Sequence, residues 1–266
     1  MTAVAMPSSP SADHFQDASS PPVKAQPWRA PPKEALKNAI KALQEEPLDA
    51  EACVAHCALL ESTTMRCASH HEVVLRAGGP RGLVTAMKEH LKNVEVQTLA
   101  LRTMQHLAAS VTLDGPQHLS DVGAAAAAVA SMGAHQGHAA LQEAACYALE
   151  LIAFGGLEPR ERAVADGAVE ATVRALKEHR DSASVQRAGL AALQALVEEC
   201  LDAAKRFDDA NGVTILVERL VDHKKDAQVQ YWGNLLVRTL SASDTEIRVK
   251  IQRKCHFKDV QLDLDD

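Results

Sequence analysis

Aromatic residues are scarce in this sequence, which has two Trp, two Tyr and four Phe among 266 residues. Its core must therefore be built from aliphatic side chains and alanine, a composition that favours closely packed helices. The longest apolar stretch, Ala124–Met132, is mostly alanine. It is about half the roughly 20 residues that a membrane-spanning helix needs. The sequence therefore predicts no membrane span.

An excess of basic residues is also missing, because 28 Lys and Arg face 35 Asp and Glu for a net charge of −7. Nucleic-acid binding rests on clustered basic residues, so we do not expect a nucleic-acid partner. The opening MTAVAMPSSP lacks the charged start and apolar block of a signal peptide, and Asp13 and Asp17 do not suit a transit peptide. We expect a cytoplasmic protein with reduced thiols, the nucleus being the alternative compartment.

Catalytic signatures are missing as well. No G-x-S-x-G occurs, and the glycine pairs at Gly78 and Gly155 lack the spacing and lysine of a phosphate-binding loop. The densest metal-ligand group contains no C-x-x-C pair, and its first two cysteines, four residues apart, suit one buried helical face. Its members are Cys53, His56, Cys57, Cys67, His70 and His71. We predict no enzyme, no metal site, no cofactor and no small-molecule substrate.

The chain divides into four segments by composition. Residues 1–32 hold seven of the eleven prolines and are predicted to be a disordered tail. Residues 33–65 fit a partial, capping repeat, and residues 66–246 carry a helical repeat pattern. Residues 247–266 form a basic terminal helix and an acidic tail. Ser243 and Glu246 match an S-x-x-E capping box, which is expected to open that last helix.

An internal repeat becomes visible when four histidines are aligned. His90, His135, His179 and His223 are 45, 44 and 44 residues apart, and each is followed seven residues later by Gln97, Gln142, Gln186 or Gln230. Apolar or small residues recur six, ten, fourteen and seventeen residues after each histidine, which is one face of an α-helix. The period and pattern predict a stack of similar helical units.

Glycine and other small residues punctuate each unit. A glycine lies eleven or twelve residues before each histidine and is expected to make the turn into the second helix; these glycines are Gly79, Gly123, Gly167 and Gly212. The position ten after the histidine holds only Ala or Gly. We expect this small residue to let the third helices of adjacent units approach closely. Each unit is thus helix, sharp turn, helix, loop, helix.

This three-helix unit resembles the armadillo repeat, and the resemblance covers roughly residues 70–246. It implies an all-α, right-handed superhelix with about four repeats and capping half repeats, in which the third helices line a concave groove for protein partners. In one branch of the family an asparagine ladder and a tryptophan row bind extended peptides. Here the asparagine positions hold His106, Leu151, Ala195 and Thr239, and the tryptophan positions hold Arg102, Tyr147, Ala191 and Leu235. The ladder is absent, which favours a helix or a folded surface as ligand.

The recurring histidine invites a metal-binding interpretation, which the repeat geometry opposes. Stacked repeats are about 10 Å apart, whereas the ligands of one zinc ion lie about 2 Å from it. We expect each histidine to end its second helix, with its ring meeting the last carbonyls, and each glutamine to bridge to loop backbone.

The sequence as a whole predicts a non-catalytic adaptor or scaffold that binds a protein partner on its concave face. The predicted contacts are Arg102, His106, Tyr147, Leu151 and Trp232; core or end packing is an equal alternative for Trp232. Two other interpretations stay open: a structural subunit of a larger assembly, and a fragment of a longer solenoid.

Overall fold

The computed structural model describes residues 28–45, 49–109 and 115–258. These residues form fifteen α-helices, one 3-10 turn at Ala68–His70 and no strand. The helices are Lys33–Glu45 (α1), Ala50–Arg66 (α2), His71–Arg76 (α3), Gly79–Glu89 (α4), Val94–Ala108 (α5), Gly115–Asp121 (α6), Ala124–Ala134 (α7), Ala139–Ala153 (α8), Leu157–Ala165 (α9), Ala168–Glu178 (α10), Ala183–Val197 (α11), Leu201–Asp209 (α12), Gly212–Asp222 (α13), Ala227–Ser243 (α14) and Thr245–Lys258 (α15). None of them is both long and apolar enough to cross a membrane.

Four three-helix repeats stack along the chain, beginning at α3, α6, α9 and α12. In front of them α1 packs on α4 and α2 packs on α5, so this pair occupies the places of a second and a third helix. The helix α15 packs on α13 and α14 and covers the last repeat. The all-α armadillo-type solenoid predicted from the sequence is confirmed. Residues 1–27 of the predicted tail and the acidic segment 259–266 lie outside the described residues.

The turn between the first and second helices needs a left-handed residue in every repeat. Positive φ occurs at Gly78, Gly123, Gly167 and Asn211, each twelve residues before the histidine. The prediction was therefore wrong by one residue for Gly79 and Gly212, which begin the second helix. They are small for another reason: a Cβ on Gly79 would lie 2.8 Å from the Val74 carbonyl oxygen, and one on Gly212 2.6 Å from that of Phe207.

Close packing within a repeat explains the small residue ten positions after the histidine. A Cβ on Gly189 would lie 2.5 Å from Leu176 Cδ2, and one on Gly233 2.5 Å from Leu220 Cδ2. Both leucines belong to the second helix of the same repeat. The closest constraint on these glycines is therefore the second helix of the same repeat and not the adjacent third helix of the prediction, although Leu190 of the adjacent helix α11 would lie 3.7 Å from a Cβ on Gly233.

The recurring glutamine of the third helix forms hydrogen bonds to the end of the second helix. Gln97 Nε2 donates hydrogen bonds to the carbonyls of Met87 (2.9 Å) and His90 (3.0 Å). The same pair of bonds recurs at Gln142, Gln186 and Gln230, with donor–acceptor distances of 2.8 to 3.3 Å. Each glutamine thus satisfies two carbonyls at the end of a helix that would otherwise lack donors. Its predicted bridging role is confirmed.

Three of the four recurring histidines link their repeat to the one before it. Each histidine does end its second helix, but its ring does not meet the last carbonyls of that helix as expected. Instead Nε2 lies within hydrogen-bonding distance of a loop carbonyl in the preceding repeat: His135 to Leu91 (2.7 Å), His179 to Gln136 (2.6 Å) and His223 to Arg180 (2.7 Å). Because a carbonyl only accepts, Nε2 carries the hydrogen. We call the four histidines and four glutamines the histidine–glutamine edge.

The last helix begins differently from the sequence prediction. Asp244, not Ser243, caps α15, because its Oδ1 accepts from the amides of Glu246 (2.7 Å) and Ile247 (3.2 Å). The Ser243 hydroxyl donates to the Leu240 carbonyl instead. The predicted capping box is therefore wrong, although the helix itself is present.

Candidate functional site

The candidate site is the face of the third helices that points away from the core. Successive residues of an α-helix are rotated by about 100°, so positions 8, 12, 15 and 19 after each histidine share one side, away from the buried position 10. We call these positions on α5, α8, α11 and α14 the groove face. Its members are Thr98, Arg102, Gln105 and Ala109; Glu143, Tyr147, Glu150 and Phe154; Arg187, Ala191, Gln194 and Glu198; Tyr231, Leu235, Arg238 and Ala242.

Three of the predicted contacts lie on or beside this face with their side chains at least partly open. Arg102 is exposed and has no ion-pair partner among the described residues. Tyr147 and Leu151 are half-buried and pack against the core with one side. The structure brings Tyr147 and Leu151 together one turn apart on α8, whereas Arg102 lies on the neighbouring helix α5. Their role in binding stays a prediction.

The His106 side chain joins two helices and is not fully open to a partner. Its Nδ1 lies 3.2 Å from Thr64 Oγ1 on α2, so the ring spans two adjacent third-helix positions. Burial lowers the pKa of His106, while Glu61 opposes that shift and His71 and Arg102 add to it. The neutral ring therefore persists below the usual pH range of histidine, which suits a structural contact.

The two aromatic residues on α14, Tyr231 and Trp232, differ in exposure. Trp232 is half-buried and packs against the core, as the alternative interpretation from the sequence has it. Tyr231 is 60% exposed, and its ring meets the indole edge-on with centroids 5.0 Å apart. Sequence reasoning missed Tyr231 as a candidate. The helical position could have found it, because Tyr231 is eight after His223 and Trp232 is nine after it.

Glu150 lies near the middle of the groove face. It is half-buried on α8, and none of the hydrogen bonds or ion pairs among the described residues involves its carboxylate. Burial alone raises its pKa to about 7. One turn away, burial and the carboxylates of Glu143 and Glu150 raise the pKa of Tyr147, and the positive charge of Arg187 on α11 opposes that shift. The side chains along this part of α8 therefore carry negative charge that lies within electrostatic reach of one cation on the next helix.

Arg187, the groove-face arginine of the next helix, forms an ion pair within the chain. Arg187 Nε lies 3.1 Å from both carboxylate oxygens of Asp226. Asp226 in turn caps α14 by accepting from the amides of Gln228 and Val229. Arg187 and these amides lower the pKa of Asp226 to about 2. Arg187 is thus held by a neighbour in the following repeat, and within the described residues no ion pair joins it to Glu150.

The third repeat forms the lowest part of the groove face. Ala191 and Ala195 on α11 are almost fully buried, while their counterparts on α8 are Tyr147 and Leu151 and on α14 Leu235 and Thr239. Gln194 is only 6% exposed, and its Oε1 has no hydrogen-bond donor. We call Ala191, Ala195, Gln194, Glu150 and Tyr147 the Ala191 notch. It combines two buried alanines with one buried acceptor, Gln194 Oε1, that has no donor among the described residues.

The cysteine and histidine group near the first repeat is held by local contacts. Cys53 and Cys57 are buried and hydrogen-bond to each other. His70 Nδ1 lies 2.8 Å from Cys67 Sγ, and His71 Nε2 donates to the Thr64 carbonyl (2.7 Å). Within the described ranges, no three His, Cys, Asp or Glu side chains are placed to share a metal ion. These contacts give the group a packing role.

Comparison with known proteins identifies the fold. No family model matches the sequence, and no curated protein matches it significantly. An engineered protein solved by a structural genomics consortium matches with a TM-score of 0.70 at 23% identity, over 84% of this chain and 88% of that one. A designed armadillo repeat protein matches with a TM-score of 0.69 at 19% identity, over 82% and 87%. Another, solved in complex with the peptide (KR)4, matches with 0.68 at 17% identity, over 84% and 89%. The chain therefore has an armadillo-like repeat fold.

Proposed function

We propose that this protein is a non-catalytic adaptor or scaffold that binds a protein partner on its groove face. The observation that carries the proposal is the contrast in side chains between the two sides of the same helices. The histidine–glutamine edge repeats the same two residue types in all four repeats. The groove face instead presents different side chains in each repeat, and among the described residues Arg102 and Glu150 make no ion pair there.

The fold supports this proposal. Armadillo-like repeats typically mediate protein binding, and a designed member of similar fold was solved with a bound peptide. Side chains of different shape and charge line successive repeats here, from Arg102 through Tyr147 to Leu235. Such a surface suits a partner with its own fixed sequence of side chains.

Site-specific photo-crosslinking tests which face makes contact. A photoreactive benzoylphenylalanine replaces Arg102 or Leu235 on the groove face, or Lys88 or Lys177 on the second helices as matched exposed controls. After irradiation in extract of the cells that express the protein, we expect the same protein adduct from both groove positions and none from the controls. An adduct formed only from Lys88 or Lys177 would contradict the proposal.

Charge reversal at Arg102 separates binding from folding. Arg102 is exposed and makes no ion pair within the described chain, so Arg102→Glu should leave the melting temperature unchanged and abolish capture of the crosslinked partner. The matched control is Arg174→Glu, an exposed arginine on α10 for which we expect no loss of capture. Equal loss in both variants would indicate a general charge effect and not a groove contact.

A further inference from the structure

We propose that the open side of α2, at the N-terminal end of the stack, binds the same surface of a second copy of this chain. We call this surface the α2 flank. Its residues are Glu51, Ala55, Ala58, Leu59, Ser62 and Arg66. They follow one side of the helix over about four turns, opposite the buried Cys53, Cys57 and Leu60. The proposal concerns the end of the stack and does not depend on the function proposed for the groove face.

The helix α2 has the same register as the third helices of the four repeats. Asp49 caps α2 through its side chain, as Asn93 caps α5. Counted from these caps, Ser62 of α2 corresponds to His106 of α5, since each lies thirteen residues further on. His106 Nδ1 is 3.2 Å from Thr64 Oγ1 on α2, so this position belongs to the side of a third helix that faces the preceding one.

That side is buried in the repeats and open in α2. Leu59, ten residues after the cap, is half-buried, whereas all four residues at the same position in the repeats are 0% exposed. These four residues are Thr103, Ala148, Ala192 and Leu236. Ala55, six residues after the cap, is exposed, while its alanine counterparts Ala144 and Ala188 are 4% and 0% exposed. The α2 flank therefore has the residue types of a helix-stacking surface, and within the described residues no third helix precedes it.

The opposite end of the stack is closed, which argues against a head-to-tail arrangement of two copies. The helix α15 packs on α13 and α14 and covers the last repeat. The side of α14 that would meet a further repeat is also more polar, because Asn234 stands where Leu101 and Leu190 are buried in α5 and α11. A polar surface of this kind is what the terminal repeat of a solenoid needs. The α2 flank of one copy is thus left to pair with the α2 flank of another, which is a two-fold contact.

The α2 flank is complementary to itself when two α2 helices lie antiparallel. Its midpoint lies between Ala58 and Leu59, and a two-fold axis there places Glu51 opposite the second copy's Arg66. Both side chains are exposed and about 22 Å apart along one helix, so they cannot pair within the chain. The symmetry makes this pair twice, whereas parallel helices would bring like charges together. The charges therefore favour the antiparallel arrangement.

Arg66 is positioned for this pairing by Trp28. Its guanidinium carbon lies 5.5 Å from the centre of the Trp28 ring. Stacking uses the flat face of the guanidinium and leaves the N–H groups at its edge available to a carboxylate. None of the ion pairs among the described residues involves Glu51 or Arg66. Both charges can thus act between two copies.

Sedimentation equilibrium of the full chain tests whether the dimer forms. Two short flanks bury less than a standard interface, so we expect a reversible dimer with a Kd on the order of 100 µM. Ala55→Glu should weaken it at least tenfold, because the substitution places a charge between the helices. The control is Ala130→Glu, which changes an exposed alanine on α7 and should have no effect. A chain that stays monomeric up to about 1 mM would overturn the proposal, as would equal effects of the two substitutions.

Exchange of the two charges tests the antiparallel arrangement. Glu51→Arg and Arg66→Glu should each weaken the dimer several-fold, because each brings like charges together twice across the two-fold axis. The combined variant should return to within about twofold of the wild type, since opposite charges face each other again. Charges reversed at the ends of α2 also cost some helix stability, so all variants are compared at a temperature where thermal unfolding shows them folded. No recovery in the combined variant would overturn the pairing.

Photo-crosslinking of the purified chain identifies what lies on the α2 flank. Benzoylphenylalanine replaces Met65, which is 51% exposed at the rim of the flank. We expect an adduct of twice the chain mass that joins α2 to α2. An adduct within one chain to residues 1–27, or between chains to α14 or α15, would contradict the proposal. Arg102→Glu should leave the dimer intact, so loss of partner capture and loss of the dimer are separate results.

Discussion

The histidine–glutamine edge and the groove face belong to the same stack of helices but differ in almost every respect. Along the edge, the same two residue types recur in all four repeats, and each glutamine makes the same pair of backbone hydrogen bonds. Along the groove face, each repeat presents different side chains. The edge is regular because each repeat has the same carbonyls to satisfy, whereas nothing within the chain imposes a common residue on the groove.

The comparison indicates how a repeat protein separates stability from recognition. Stacking depends on contacts between neighbouring repeats, so residues at those contacts are constrained to one chemistry. A surface for an external partner is constrained by that partner, and it can keep a partly buried, unpaired group at some cost in stability. Glu150 is such a group, since it is half-buried and makes no hydrogen bond or ion pair within the described residues.

The largest effect should come from breaking the edge at the third repeat. Gln186→Leu keeps the volume but removes both hydrogen bonds to Leu176 and His179, leaving two helix-end carbonyls without their donor. We expect a loss of about 2–3 kcal/mol in the free energy of unfolding, measured by urea denaturation. The control Gln228→Leu changes an exposed glutamine on α14 and should stay within about 0.5 kcal/mol. Equal losses would mean that the edge is not specially stabilising.

A smaller effect of opposite sign should come from the groove. The raised pKa of Glu150 means that the folded state holds a proton which the unfolded chain releases above its usual pKa of 4.5. Stability from this group is therefore lost as pH rises from about 4.5 to about 7, and the cost is fully present above that range. Glu150→Gln should raise the unfolding free energy by about 1–2 kcal/mol at pH 8, allowing for solvent screening, and by much less at pH 5. No gain at pH 8 would contradict the burial of an unpaired charge.

The smallest effect should distinguish a bonded from an unbonded histidine on the edge. His179→Ala removes the bond to the Gln136 carbonyl and should cost about 1 kcal/mol. His90 begins the row, and its Nε2 is buried without a partner among the described residues. His90→Ala should therefore cost less than His179→Ala, as thermal unfolding of the two variants can show. The reverse order would argue against the repeat-to-repeat role of the ring.

The sequence predicted the glutamines of the edge well because identical residues in four copies reveal a common local geometry. The fold class, the repeat register and the backbone role of the glutamines follow from that repetition, whereas the bonds of the histidine rings to the preceding repeat do not, because they cross between repeats. The exact residues that make the turn and cap the last helix were not predicted, each being missed by one position. The left-handed residue at Asn211 and the cap at Asp244 depend on which of two neighbouring polar or small residues turns the chain, and the pattern of apolar residues does not distinguish them.

The groove could be predicted only in outline. Helical periodicity places Arg102 and Tyr147 on one face, and the same reasoning could have found Tyr231. It does not show that Glu150 is partly buried, because that burial comes from neighbouring helices in the assembled stack. Nor does it show that Gln194 Oε1 lacks a hydrogen-bond donor or that Asp226 forms an ion pair with Arg187. These features depend on contacts across about 40 residues of sequence, which only the folded arrangement supplies.

The most direct test of the separation between edge and groove measures stability and partner capture on the same variants. Gln186→Leu and Tyr147→Ala form the pair, assayed by urea unfolding and by capture of the partner recovered through crosslinking. Gln186→Leu should lower the unfolding free energy yet still capture the partner at temperatures where it is folded. Tyr147→Ala should keep most of its stability and lose capture at least tenfold. If Tyr147→Ala captures the partner normally, or if the folded Gln186→Leu variant fails to do so, the division of roles between the two surfaces is wrong.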